Sequence, residues 1–325
     1  MPVLDPHHDR QHPVEDDEAW SESYYFNAYD PASDSGFFTR IGVRPNEGTI
    51  DVSMHVWLPG GRFASYRHKR EQTEMISSPL EVGGVTYRCL EEGKRWQLMT
   101  DGEGRVYERG ERAHRHARVQ IEVQFDALTP LIGADGQGKD GAGASAATRL
   151  STGKGHLEQS GRWTGWIQID DERFDFGPEA RGNRDKSWGP RRWGGPKMWR
   201  WFSINIGDDV HFGGIRIGTE DGDLHRGWVW KDGAHASVRE WRVKTGTRDD
   251  GVTQKTVDLT VVDSEGREHA LRADVMRVIP GGANPGGTIV NEGLAKWTHE
   301  GVTGYGIAEY LHQFHDDGSP VVPIE

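Results

Sequence analysis

Apolar and polar residues alternate along most of this chain. Over residues 49–58 every even-numbered residue is apolar, and over residues 119–125 every odd-numbered residue is apolar. This period of two is typical of β-strands that bury one face in a core. Asp-Gly and Glu-Gly pairs, as at residues 250–251 and 265–266, separate further strand candidates and predict tight hairpin turns. No stretch has a sustained helical period, so the pattern predicts an all-β fold.

The predicted strands follow one another at hairpin spacing in both halves of the chain. The candidates are residues 19–29, 37–43, 49–58, 62–66, 81–89, 95–100 and 119–128 in the first half, and 156–169, 172–176, 199–206, 211–217, 224–230, 237–243, 256–262, 269–278, 289–298 and 301–314 in the second. Sequential hairpins at this spacing favour up-and-down antiparallel barrels or sandwiches. We therefore expect two tandem antiparallel β domains.

A run of Gly, Ala, Asp, Gln and Lys over residues 133–145 is low in apolar area and predicts a linker. The expected organisation is a polar leader over residues 1–18, an N-terminal β domain over 19–132, a Gly-rich linker over 133–150 and a C-terminal β-barrel over 151–325. The length of 325 residues exceeds the usual size of a single domain. The 13 Trp, 10 Phe and 8 Tyr residues supply enough apolar area for two cores.

Charge and cysteine content exclude some classes of protein. The formal net charge of −12 argues against a general nucleic-acid binder, because that function requires a basic face. Cys89 is the only cysteine, so no disulfide forms within the chain and a reducing compartment is expected. The N-terminal residues lack the apolar core of a signal peptide, and no apolar run is long enough to span a membrane. We expect a cytoplasmic protein.

Residues 182–195, GNRDKSWGPRRWGG, concentrate charge and indole rings. The stretch contains one carboxylate, three guanidinium groups and two indoles: Asp185, Arg184, Arg191, Arg192, Trp188 and Trp193. Its glycines and Pro190 exclude a regular helix and predict a shaped loop between two strands. A loop of this composition predicts a binding or catalytic site. The structural alternative is an Arg–Asp pair that holds a barrel end together, with the tryptophans as plugs.

Three motifs carry a resemblance to a known group: EQSGR at residues 158–162, RDKSWGPR at 184–191 and GYGIAEY at 304–310. The chain resembles the lipocalin-like proteins grouped with carotenoid 1,2-hydratase (hydroxyneurosporene synthase) and the AttH-like proteins, and more closely a bacterial branch with an RDxSWGPR motif. Lys186 stands where the wider group usually has a histidine. The resemblance implies two calycin- or lipocalin-like β domains and an apolar ligand. It also implies a hydratase or cyclase type of chemistry on isoprenoid- or polyketide-like compounds.

Hydration or cyclisation of an isoprenoid starts with protonation of an alkene, which needs a carboxylic acid in a dry pocket. Aromatic walls then stabilise the carbocation by cation–π attraction, about 0.5–2 kcal/mol per ring. Asp185 is the first candidate acid, with Trp188, Trp193 and Trp201 as candidate walls. Nearby positive charge lowers the pKa of a carboxyl group. Asp185 is therefore an ionised base, or only a structural partner, if an arginine of the stretch pairs with it.

Other side chains are candidates for the same chemistry. Glu309, on the last predicted strand, is the second candidate acid, and His211 and His55 are candidate proton carriers because of the ordinary pKa of histidine. For each of the three, the alternative is a packed or solvated side chain with no chemical role. The remaining candidate ligand contacts are Trp57, Tyr305 and Tyr310, with Arg184 or Arg191 as the anchor for a carboxylate.

No metal site or cofactor is expected. The histidines fall into three groups that lack a recognisable metal-ligand spacing and are expected to be solvated: His7, His8 and His12, then His114 and His116, then His312 and His315. The sequence has no dinucleotide fingerprint, phosphate loop or nucleophile elbow.

Two functions remain open. The first is a cofactor-independent enzyme that hydrates or dehydrates, isomerises or cyclises an isoprenoid-, steroid- or polyketide-like compound by acid–base catalysis. The second is a non-enzymatic carrier of such a hydrophobic small molecule, and a structural accessory protein is a third, weaker option. A catalyst needs an acid or base within hydrogen-bond reach of its ligand cavity, whereas a carrier needs only shape and an anchor.

Overall fold

The computed structural model describes residues 1–76, 78–136, 153–192, 196–220, 222–280 and 287–325, and within them almost every regular element is a β-strand. The strands are β1 Trp20–Asp30, β2 Ser35–Arg44, β3 Thr49–Trp57, β4 Phe63–Glu71, β5 Leu80–Val82, β6 Val85–Glu91, β7 Arg95–Tyr107, β8 His114–Ala127, β9 Ile132–Ala134, β10 Gly155–Ile169, β11 Glu172–Asp175, β12 Arg181–Pro190, β13 Met198–Ile206, β14 Val210–Thr219, β15 Gly222–Lys231, β16 Ala234–Thr247, β17 Gln254–Asp263, β18 Glu268–Pro280, β19 Thr288–His299 and β20 Val302–Gln313. Two 3-10 helices, Pro6–Asp9 and Pro59–Gly61, are the helical elements of the described residues. The all-β prediction is confirmed.

The first compact unit contains Val3–Leu131 and Gly153–Pro190. Eight of its strands pair in a closed ring, in the order β1, β2, β3, β4, β7, β8, β10 and β12, and β12 pairs back with β1. The β5–β6 hairpin adds to the free part of β7, and β11 folds back on the end of β10. We refer to this ring as the first barrel.

The alternation in sequence sets which side chains fill the first barrel. The even-numbered apolar residues of β3 and the odd-numbered apolar residues of β8 all belong to one buried cluster, as the pattern predicts. Aromatic rings fill its centre: Trp163 contacts Phe26, Phe37 and Phe125 edge-on, with ring centroids 5.2–6.1 Å apart. Edge-to-face contacts of this kind add to the stabilisation from buried area.

The second compact unit contains Arg191–Glu325 together with Met1–Pro2 and residues 132–136. Strands β13 to β20 form a closed antiparallel barrel in sequence order, which we call the second barrel. Its core includes Phe202, Trp241, Trp297 and Tyr310. The predicted final hairpin, residues 289–298 and 301–314, is present as β19 and β20.

The division of the chain differs from the predicted boundary near residue 150. Residues 153–190 supply β10, β11 and β12 to the first compact unit. The first barrel needs β10 and β12 to close. The hydrophobic pattern alone could not reveal that residues 153–190 belong to the first unit, because strands of both barrels have the same period of two. Most of the predicted linker, residues 137–150, lies outside the described residues.

Candidate functional site

Strand β12 contains most of the stretch that the sequence analysis singled out. Residues Arg181–Pro190 are extended and pair with β10 on one side and β1 on the other, so the prediction of a loop from the glycines and the proline is wrong for residues 182–190. Gly182 permits this pairing, since a Cβ there would lie 2.0 Å from the carbonyl oxygen of Asn27. Pro190 ends the strand, a position where a missing N–H costs no ladder hydrogen bond.

Alternation along β12 places neighbouring residues on opposite faces of the first barrel. The guanidinium of Arg184 lies over the buried rings of Trp96 and Phe125, at 5.4 and 5.9 Å from the ring centroids, so Arg184 faces the interior. Asp185 therefore faces outward. Because of this geometry the two adjacent residues, which the sequence suggested as an ion pair, take part in different interactions.

Arg184 forms its ion pair with Asp9, from the N-terminal 3-10 helix. Arg184 Nη1 and Nη2 donate to Asp9 Oδ1 and Oδ2 at 2.6 and 2.9 Å, and Arg184 Nε donates to Gln159 Oε1 at 2.7 Å. The backbone N–H of Gly93 donates to the same carboxylate at 2.6 Å. Burial alone raises the pKa of Asp9, but the charge and hydrogen bonds of Arg184 outweigh it and the pKa lies below its ordinary value. Arg184 thus fastens the N-terminal segment to the barrel interior.

Lys186 and Trp188 continue the same inward face. Lys186 Nζ lies 2.7 Å from Glu22 Oε1 and donates to the carbonyl of His8 at 2.6 Å. Burial lowers the pKa of Lys186, although the charge of Glu22 opposes this shift. The indole of Trp188 stacks on His12 with centroids 3.8 Å apart. His8 and His12 are half-buried here, so the expectation of solvated side chains is wrong for these two, whereas His7 is exposed as expected.

Asp185 belongs to a cluster of titratable groups on the outer face of the first barrel. His156 Nε2 lies 2.8 Å from Asp185 Oδ2 and 3.8 Å from Glu158 Oε1. The Glu158 side chain is almost fully buried, whereas those of His156 and Asp185 are 29% and 21% exposed. Glu158 and Tyr25 are the direct cross-strand neighbours of Asp185. One imidazole nitrogen within 4 Å of two carboxylates can give or accept a proton without a large movement of any side chain.

An aromatic band adjoins this cluster on the same outer face. Tyr25 stacks with Phe38 at 6.5 Å between centroids, and Phe38 contacts the rings of His55 and Trp57 at 4.7 and 5.3 Å. Tyr25, His55 and Trp57 are each at least nine-tenths buried. The structure thus brings the predicted residues Asp185, His55 and Trp57 to one face of one barrel.

Two polar atoms of this band have no hydrogen-bond partner among the described residues: His55 Nδ1 and Trp57 Nε1. Arg67 Nη2 lies 3.4 Å from the other ring nitrogen of His55. Burial, together with the charge of Arg67, lowers the pKa of His55 to about 3. His55 is therefore a neutral hydrogen-bonding group at neutral pH and does not act as a proton donor there.

The second barrel presents another carboxylate on its outer face. Trp199 Nε1 donates to Glu309 Oε1 at 2.7 Å, and Trp201 is the direct cross-strand neighbour of Glu309. On its other side, Glu309 faces the buried Glu292 of β19. Directly opposed residues on one face have Cβ atoms about 4.5–5.5 Å apart, so two glutamates and two indoles share this surface.

The other predicted residues of this region occupy different positions. His211 is buried with its two ring nitrogens 2.9 Å from Asn205 Oδ1 and the carbonyl of Asp208, an arrangement that fixes a turn. Tyr305 alternates onto the outer face with Glu309. The guanidinium of Arg191 lies 5.9 Å from the ring of Trp199, and Trp193 lies outside the described residues.

Tyr310 faces the interior of the second barrel, away from Glu309 and Tyr305. Its hydroxyl lies 2.7 Å from Thr245 Oγ1, and burial raises the pKa of Tyr310 to about 12. His312 is also buried in this interior, which contradicts the expectation that it is solvated, whereas His315 of the same group is exposed as expected. The second group agrees with expectation, because His114 and His116 are exposed.

Sequence reasoning missed His156, Glu158, Tyr25, Phe38 and Glu292. Each lies on a predicted strand, an odd number of positions from the core residues of that strand, and so on the opposite face. The alternation pattern therefore predicts that these side chains face outward. It does not reveal that β10 and β12 are paired, which is what brings His156 and Glu158 to Asp185.

Neither a cluster of metal-ligating side chains nor a membrane-spanning helix is present in the described ranges of the chain. These ranges contain no group of three or more His, Cys, Asp or Glu side chains arranged to hold a metal ion. They also contain no helix of the length and apolarity needed to cross a bilayer. Burial raises the pKa of the Cys89 thiol to about 11, so the thiolate that a nucleophilic cysteine requires is disfavoured.

Comparison with known families and curated proteins gives one match. The model of a family described as a domain of unknown function, DUF7064, matches residues 5–314, nearly the whole chain. No curated protein matches the sequence.

Solved structures share the fold at low sequence identity. A candidate AttH protein from Nitrosomonas europaea aligns with a TM-score of 0.64 and 14% identity, over 95% of this chain and 97% of that one. Kievitone hydratase from Nectria haematococca aligns with a TM-score of 0.58 and 13% identity, over 89% and 88% of the two chains. CghA aligns with a TM-score of 0.58 and 13% identity, over 92% and 89%. These alignments confirm the predicted fold class, and at such identities they show the fold alone.

Proposed function

Because the chain belongs to the DUF7064 family, whose description assigns no activity, we propose a function from the geometry of the site. The protein is a cofactor-independent acid–base enzyme that acts on a hydrophobic small molecule at the outer face of the first barrel. The observation that carries this proposal is the 2.8 Å contact between His156 Nε2 and Asp185 Oδ2, beside a buried aromatic band. Its reaction class is hydration or dehydration, isomerisation or cyclisation.

The proton chemistry is assigned to His156, Asp185 and Glu158. The hydrogen bond between His156 Nε2 and Asp185 Oδ2 positions this pair to transfer a proton to or from a substrate carbon or oxygen. Glu158 lies 3.8 Å from the same ring nitrogen and takes the complementary role of accepting a proton from water or substrate. A hydration needs both roles, since one group protonates the alkene while another removes a proton from the attacking water.

The aromatic band holds the apolar body of the substrate. Tyr25, next to Asp185, marks the catalytic end, and Phe38 leads to His55 and Trp57 at the other. The ring nitrogens His55 Nδ1 and Trp57 Nε1 are placed to bond a substrate carbonyl or hydroxyl, since each is buried without a partner in the described structure. Faces of aromatic rings also stabilise a developing cation.

Two resemblances support hydration as a candidate reaction. One structural neighbour is named kievitone hydratase, and the sequence motifs resemble the group that contains carotenoid 1,2-hydratase. A lone, partly buried cysteine favours a reducing, cytoplasmic location. Lys186 is excluded from a direct role at this site, because it faces the interior of the barrel.

The test is a turnover assay on a panel of apolar compounds that includes kievitone, a carotenoid, a steroid and a linear polyketide. Mass spectrometry in ¹⁸O-labelled water detects the gain of one labelled water, and chromatography detects isomers and cyclised products. We expect Asp185→Asn and His156→Gln each to lower kcat by about 10²-fold or more, the usual share of a general acid or base. Ligand-induced quenching of tryptophan fluorescence should persist in both variants.

Asp175→Asn is the matched control, because Asp175 is an exposed carboxylate of the same compact unit, paired with Arg173. Its kcat should equal that of the wild type. Unchanged turnover in both Asp185→Asn and His156→Gln, with normal folding, would remove the proposed site. If Glu309→Gln alone abolished turnover, the chemistry would instead belong to the outer face of the second barrel.

A carrier function is the second candidate, and the unpartnered nitrogens of His55 and Trp57 support it as well as they support catalysis. A carrier would bind a panel compound saturably and return it chemically unchanged after long incubation. It would also tolerate Asp185→Asn with no loss of affinity beyond that of the control variant.

A further inference from the structure

Arg200 is a fully buried arginine inside the second barrel, and the described residues give it no carboxylate partner. Its side chain is 0% exposed, and Arg200 Nη1 donates to the backbone carbonyls of Trp199 and Leu311 at 2.9 and 3.3 Å. Its guanidinium carbon lies 4.2 Å from the ring centroid of Tyr310. Arg200 Nε and Nη2 have no hydrogen-bond partner among the residues that the structure describes.

Nε and Nη2 form the edge of a guanidinium that binds a carboxylate with two parallel hydrogen bonds. The neighbouring arginine shows how this barrel satisfies such a group: Arg216, directly across from Arg200, pairs with Asp223 at 2.6 Å and with Glu325 at 2.8 Å. Arg216 therefore uses both Asp223 and Glu325, two carboxylates on this side of Arg200. No ion pair involves Arg200 within the described ranges.

His312 supplies a second, independent observation in the same interior. It lies two residues after Tyr310 on β20, on the same face of the strand. It is 1% exposed, and neither ring nitrogen has a partner in the described part of the chain. Burial and the nearby charge of Arg200 lower the pKa of His312 to about 3, so the ring is neutral. A neutral imidazole offers one donor and one acceptor. Arg200 and His312 therefore both present unused hydrogen-bond donors to the interior of the second barrel, among the described residues.

A buried polar or charged group is normally hydrogen-bonded, because loss of its hydration is otherwise uncompensated. We propose that the second barrel binds a small carboxylate-bearing molecule, whose carboxylate takes the Nε and Nη2 edge of Arg200 and a hydrogen bond from His312. This site is separate from the outer-face site of the first barrel and does not rest on the function proposed for it. Arg200 is also different from Arg184 and Arg191, the arginines that the sequence analysis suggested as anchors for a carboxylate.

The surroundings limit the size of the ligand. Towards the barrel centre, the inward residues Phe202, Trp241 and Trp297 are tightly packed and fully buried. A long chain cannot extend in that direction without displacing them. The remaining direction is towards the barrel end where β13 begins, so a short or medium-length acid is the expected ligand.

The experiment titrates acetate, butyrate and octanoate into the full-length protein, with ethanol, 1-butanol and 1-octanol as matched neutral probes. The readout is the ¹⁵N–¹H resonance of Arg200 Nε, and calorimetry gives the dissociation constant. We expect at least one carboxylate to move this resonance saturably while its alcohol does not. Arg200→Met should weaken binding of that carboxylate about tenfold or more, because hydrogen bonds to charged groups are the strong ones.

Two further variants sharpen the result. Arg200→Lys keeps the charge but loses the two-pronged edge, so its affinity should fall between those of the wild type and Arg200→Met. Arg242→Met removes an equal charge from an exposed ion pair of the same barrel and should leave affinity within about twofold.

The proposal fails if none of the three carboxylates moves the Arg200 Nε resonance in the wild type, which is the result expected if ordered water alone serves the guanidinium. It fails equally if Arg200→Met, or Arg200→Lys should the methionine variant not fold, binds the carboxylate as tightly as the wild type. Saturable binding that depends on Arg200 and is absent for the alcohol supports it.

Discussion

Because Asp9 and Arg184 form a buried ion pair, we expect a large loss of stability when a single atom of the Asp9 side chain is replaced. Asp9→Asn keeps the shape of the side chain but removes its charge, and so leaves the guanidinium of Arg184 buried without a counterion. The Arg184 side chain is 1% exposed and that of Asp9 is 0% exposed, so water cannot replace the lost partner.

The magnitude follows from that burial. Removal of one partner of a buried pair costs about 3–5 kcal/mol, because the remaining charge has lost its hydration without compensation. Asparagine still accepts one hydrogen bond, so we place the loss near the lower end, at about 3 kcal/mol. Against a total stability of about 5–15 kcal/mol this is a severe change.

Urea unfolding followed by tryptophan fluorescence measures the loss, with Asp175→Asn as the control for removal of a carboxylate from an exposed pair. The control should change stability by less than about 1 kcal/mol. The double variant Asp9→Leu with Arg184→Met removes both charges and should recover most of the loss, because an apolar replacement of a buried pair is often neutral. A loss below about 1 kcal/mol in Asp9→Asn would refute the view that burial makes this pair a structural anchor.

The same pair predicts a pH dependence. The pKa of Asp9 is lower in the folded protein than in the unfolded chain, so its contribution is complete above the unfolded value, about 3.9. The contribution is lost as the pH falls through the folded value. Wild-type stability should therefore decline below about pH 4 more steeply than that of the double variant, which lacks the carboxylate.

Three other predictions follow from single residues. Gly182→Ala should destabilise the first barrel by more than about 2 kcal/mol, measured by urea unfolding, because its Cβ would lie 2.0 Å from the carbonyl oxygen of Asn27; a change below 1 kcal/mol would contradict this. His55 should stay unprotonated in an NMR titration down to about pH 5, since its pKa is about 3, and a midpoint near 6.5 would show that the ring is accessible to water. Arg200→Met should raise the thermal unfolding midpoint of the ligand-free protein, as it removes an unpaired buried charge; a lowered midpoint would mean that the guanidinium contributes net stability.

Much of the fold is encoded in local pattern. The alternation over residues 49–58 and 119–125 identifies the strands and also which residues enter the core, because successive side chains of a strand point to opposite faces. Hairpin signals before β20 likewise identify β19 and its partner. Residues 182–190 are the exception: glycine and proline predicted a loop, but close approach to β1 requires Gly182, and pairing on both edges overrides the local preference.

The candidate site depends on which strands pair, and that is a property of the folded chain. The sequence identified Asp185 as a carboxylate of interest, yet its contact with His156 arises because β10 and β12 lie side by side across 29 positions of sequence. Arg184 and Asp9, 175 positions apart, meet only when the first barrel closes. Period and composition determine what each strand buries, whereas register between distant strands determines which polar side chains meet, since that register is selected by the packing of the whole barrel.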